Sequence, residues 1–93
     1  MNETIEQGLT RHKINKEDLV LIARDERYEI YDDRREKKAV IIVKKGSRMT
    51  PKGYLFLEAE RPKRELGWKL LEYIAKLSYE QSGLVPFILS SKA

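Results

Sequence analysis

Between Arg34 and Arg64 stand eleven lysines and arginines against three acids, Glu36, Glu58 and Glu60. That segment carries +8 in a chain whose total is +4, which leaves the remaining residues net acidic at −4. Charge gathered in this way attracts polyanions by releasing their counterions, whereas charge spread evenly over a surface only solvates it. The sharpest part is KKGSRMTPKGY, in which Lys44, Lys45, Arg48 and Lys52 are interspersed with two glycines and Tyr54 closes the run. On a hairpin connection these four cations form an arm for phosphates, with Tyr54 placed to stack on a base or sugar. Arg34, Arg35, Lys37 and Lys38 make a second cluster. The chemistry expected is ionic contact with the backbone of DNA or RNA, without groove or sequence preference.

Other groupings that could do chemistry are poorer. Asp32 and Asp33 are adjacent acids on a charged turn, DDRREKK, and lack the further oxygen ligands that Mg²⁺ or Ca²⁺ requires. Glu58 and Glu60 alternate after an apolar run and Glu36-Lys37-Lys38 spells Glu-x-Lys, a faint likeness to metal-dependent nucleases. It fails in detail, because no lysine follows Glu60 in that pattern and no aspartate lies between Asp33 and Glu58. His12 is the only histidine and is expected to be solvated between Arg11 and Lys13. With no cysteine there is no thiolate ligand, disulfide or thiol nucleophile, and the serines lack a nucleophile-elbow context. The expectation is therefore no enzyme, no metal and no cofactor.

The elements that must position these residues read as one α+β domain over residues 1–93. Residues 3–9 suit a short helix that Gly8 weakens. Asn15 could cap a helix entering residue 19, yet the five apolar residues 19–23 suit a buried strand, which is the choice made here. Residues 19–31 then form a hairpin turning at 24–27, residues 39–43 are a β-branched strand, and 54–59 are a fourth strand. Because both faces of 39–43 are apolar, that strand should be interior. A long helix follows Pro62 and stops at Gly83. Residues 84–89 could return as a fifth strand, with Pro86 favouring an edge. The fold expected is an antiparallel sheet of four or five strands against one long C-terminal helix, with a short N-terminal helix at an edge.

In the long helix, Leu66, Leu70, Tyr73, Ile74 and Leu77 share one face, which is assigned to the sheet. Trp68 and Tyr79 extend the apolar arc to a second side and are candidates for a protein interface. One helix covers one face of a sheet, so a homodimer is expected to cover the other. A non-enzymatic interaction or dimerisation module is thus the alternative to nucleic-acid binding. The longest apolar runs are five residues, far below the ~20 needed for a membrane span. Glu3 and Glu6 stand where a secretory signal needs a cation and then an apolar stretch, so the expected location is cytoplasmic.

Overall fold

A computed structural model of the chain describes residues 4–45 and 53–80. The chain is an α+β fold. Helix α1 (Ile5–Arg11) and a short 3₁₀ turn (Lys16–Asp18) lead into strands β1 (Leu19–Arg24), β2 (Tyr28–Asp33), β3 (Lys38–Lys45) and β4 (Gly53–Glu60). Helix α2 (Glu65–Glu80) follows. The strands form one antiparallel meander in the order β1-β2-β3-β4. The expected fifth strand at residues 84–89 lies outside the described residues.

The hairpin turns are written in the sequence. At the first, Asp25 accepts the backbone N–H groups of Arg27 and Tyr28 at 2.6 and 3.3 Å, and its other oxygen takes the Arg27 guanidinium at 2.8 Å. At the second, Asp33 accepts the N–H groups of Arg35 and Glu36, both at 3.1 Å, while Lys37 adopts a left-handed φ of 56°. Aspartate favours such turns because its carboxylate satisfies backbone donors two and three residues on.

Between these turns and the next connection runs β3, which is interior as its two apolar faces require. Residues 39–43 are almost wholly removed from water. Ala39, Ile41 and Val43 meet Tyr28, Ile30 and Leu57 under α2. Val40 and Ile42 meet Leu9, Ile14 and Phe56 on the opposite face. Each fully buried isoleucine or valine contributes about 1.5–3 kcal/mol, so neither face is stable while wet.

The cover of the first face differs from the periodicity reading. Leu71, Ile74, Ala75 and Ser78 are the buried residues of α2, and Trp68 and Leu77 pack beside them. Leu66, Leu70 and Tyr73 are exposed. At 100° per residue the contact face is therefore centred about 110° from the one expected. Small side chains explain the choice, since Ala75 and Ser78 admit a close approach to the sheet while Trp68 fills the space toward β1 and β2. Two polar ties fix it: the Tyr28 hydroxyl donates to Glu72 at 3.0 Å, and Lys45 Nζ donates to the Ser78 carbonyl at 2.8 Å. Burial and the Glu72 carboxylate push the Tyr28 phenol up to about 12.

The second face of β3 is covered by the N-terminal segment, whereas β1, expected from its five apolar residues to be buried, is an edge strand with Val20, Leu21 and Ile22 about 40% exposed. Helix α1 lies on the second face over the edge strand β4, with Leu9 and Ile14 buried against Val40, Ile42 and Phe56 and Ile5 alongside. A capping box starts the helix: the Thr4 side chain accepts from Gln7 N–H and the Gln7 side chain accepts from Thr4 N–H. Gly8 is what permits contact, because a Cβ there would overlap the Phe56 ring. Overpacking of this kind costs about 1–3 kcal/mol, against a gain of about 1 kcal/mol in helix propensity. Gly8→Ala is accordingly expected to lower the urea midpoint, and Phe56→Leu in the same chain to recover part of the loss.

Candidate polyanion-binding surface

Strand β3 joins two basic regions at its opposite ends. Eight residues at about 3.4 Å each put them roughly 24 Å apart, so the two clusters read from sequence are not one patch.

At the end where β3 begins, the meander brings together two connections distant in sequence. Lys38 pairs with Glu60 across β3 and β4, so the 34–37 turn and the 61–64 linker leave the sheet at the same end. Three acids of this end are engaged within the fold, while Glu36 and Glu60 are exposed. Asp32 takes the Arg61 guanidinium at 2.8 Å, Asp33 holds the turn, and Glu58 takes Lys38 at 2.6 Å. Arg35 lies 3.9 Å from Glu36, an exposed pair of small weight. Arg34, Lys37, Lys63 and Arg64 are exposed and make no ion pair with a described residue.

Glu58 also binds His12, whose Nδ1 donates to its second oxygen. His12 is not solvated as expected. Its side chain is 14% exposed and stacks on Phe56, ring centroids 5.8 Å apart, at the C-cap of α1. Because a carboxylate only accepts, Nδ1 is the donor of this bond, and Nε2 is buried without a partner among the described residues. The Lys38–Glu58–His12 chain thus ties α1 to β3 and β4, and it removes Lys38 from the free cations. It also accounts for Glu58 structurally, and no group of three metal-ligating side chains occurs among the described residues.

At the other end, Lys44 is exposed, whereas Lys45 is turned inward to α2 and burial lowers its pKa. Tyr54, expected to stack on a base, is half-buried and packs against the Val40, Ile42 and Phe56 cluster. Arg48 and Lys52 lie outside the described residues. Of the two interface candidates, Trp68 packs on the core and Tyr79 is exposed. The pairing of the 34–37 and 61–64 connections was missed from sequence. Its signal was present in the parity of two successive hairpins, which returns the end of the fourth strand to the start of the third. No protein-family model, curated protein or solved structure matches the chain.

For Glu58, burial raises the pKa, but the hydrogen bonds from Lys38 and His12 outweigh it and leave the value below the ordinary 4.5. A depressed carboxylate contributes stability above its unfolded value and loses it as pH falls through the folded one. Glu58→Gln is therefore expected to lower the urea midpoint at about pH 7 and to flatten the decline below pH 4.5. An unchanged acid limb in the variant would show that Glu58 does not tie α1 down.

Proposed function

We propose that this chain is a non-enzymatic module that binds the phosphate backbone of DNA or RNA through the 34–37 turn and the 61–64 linker. The observation that carries this reading is the imbalance at one end of the sheet. Arg34, Lys37, Lys63 and Arg64 are exposed and unpaired with described residues, while Asp32, Asp33 and Glu58 are committed to internal partners. Cations in that state release condensed counterions from a polyanion without first breaking a salt bridge. Arg35 joins them, since its contact with Glu36 is weak. The contacts proposed are to phosphates, since the exposed charged groups at this end are mainly cations, and Tyr54 lies at the other end of β3, half-buried against the core. Lys44 at the far end supplies a secondary contact.

Salt dependence tests the assignment. Each phosphate neutralised adds about 0.9 to the slope of log affinity against log salt on duplex DNA. Replacing Arg34, Lys37, Lys63 and Arg64 with Ser is expected to flatten that slope by about 3.6 units, and Lys44→Ser by about one or less. Stability should change little, since exposed positions of this kind usually shift it by about 0.5 kcal/mol or less each. Binding with unchanged affinity and slope in the quadruple variant would refute the reading.

A further inference from the structure

Helix α2 leaves an apolar seam in the open. Leu66, Leu70 and Tyr73 are 79%, 57% and 58% exposed, and their spacing of four and three residues is that of a helix–helix seam. Helix α2 rests on β2 and β3, so a groove of about 970 Å³ lies between this seam and β4. Ala59, Pro62, Leu66, Leu70 and Ile74 give it apolar walls. Its rim is basic, with Lys63, Arg64 and Lys69 against Glu60. On the solvent side of the seam, Lys69 and Lys76 project at about 60–80° from Leu66, with Glu80 at about 40° beside Lys76 and Glu65 and Glu72 farther round at about 100–120°.

We propose that this groove docks an acidic amphipathic helix of a protein partner, with apolar residues at i, i+4 and i+7 seated on Leu66, Leu70 and Tyr73 and carboxylates facing Lys63, Arg64 and Lys69. The charges select this occupant. In a two-fold antiparallel pairing of α2 with a second copy, Lys69 of one copy meets Lys76 of the other, and like charges on such flanks oppose association. Residues 81–93 of the chain contain Lys92 and no acid, so they would leave the rim uncompensated. Phosphates gain nothing from leucine walls, and a bilayer surface is too flat to enter a groove between a helix and a strand. An amphipathic helix supplies both what the walls bury and what the rim lacks. The inference shares Lys63 and Arg64 with the nucleic-acid reading but is tested apart from it, because the seam leucines take no part in that reading.

The probe is a short synthetic helical peptide with Leu at i, i+4 and i+7 flanked by Glu, titrated by fluorescence anisotropy against the full chain. Its twin has Lys in place of Glu. The acidic peptide is expected to bind at least roughly tenfold tighter than its twin, and Leu66→Ser with Leu70→Ser to weaken it at least roughly tenfold. The same pair should leave the helical circular dichroism and the DNA salt slope unchanged, since both leucines are exposed. Lys69→Glu should weaken the acidic peptide and improve the twin. Equal binding of the two peptides, or full binding by the leucine pair variant, overturns the proposal. So does binding that emerges only after Phe87→Ser and Ile88→Ser, which would make residues 81–93 the occupant. A concentration-dependent dimer abolished by the leucine pair would assign the seam to a second copy. Partition onto phosphatidylglycerol vesicles, abolished in the same way, would assign it to a membrane.

Discussion

Strand β3 is apolar on both faces, and nearly every other feature of the molecule answers to that. A strand of this kind has to be interior and covered twice. Ile41 and Val43 draw α2 onto one side, and Val40 and Ile42 draw the N-terminal segment onto the other. The second requirement explains a glycine in a seven-residue helix, a capping box in front of it, and a histidine stacked on Phe56 behind it. Alone, so short a helix is unstable in water. It is held by what it covers.

Covering both faces has an electrostatic consequence. With the apolar residues assigned to two cores, the half-buried polar groups at the margins pair with one another. His12 and Lys38 meet on Glu58, Arg61 meets Asp32, Tyr28 meets Glu72, and Lys45 meets the Ser78 carbonyl. These ties consume acids at the start of β3 and leave Arg34, Lys37, Lys63 and Arg64 without them. The local excess of positive charge arises from which acids the fold uses, not from composition alone.

The sheet was largely legible in the sequence, because 39–43 cannot be wet on either side and the aspartates at 25 and 33 mark turns that leave little freedom of register. Helix α2 was legible as an element but not in its facing. Its apolar arc runs most of the way round the cylinder, and a moment taken over such an arc cannot distinguish the face that small residues allow to approach from the face rich in leucine. His12 defeated local reading for another reason. Flanked by Arg11 and Lys13 it looks solvated, and its partners Glu58 and Phe56 are more than forty residues away. The basic surface proposed to bind phosphates was partly visible as an excess of charge in 34–64, yet its division between two ends of β3 follows only from the meander.

Both faces of β3 are occupied, so the function proposed here is placed at one end of the sheet and beside one helix, while β1 remains an exposed edge. The most direct measurement is residue-resolved amide chemical-shift mapping of the chain titrated with a short DNA duplex at low salt. Perturbations are predicted at residues 34–37 and 61–64, with the α1-covered face and the Leu66 to Tyr73 seam silent. Perturbations confined to Lys44 and Tyr54 at the far end, or spread over the seam, would contradict the account.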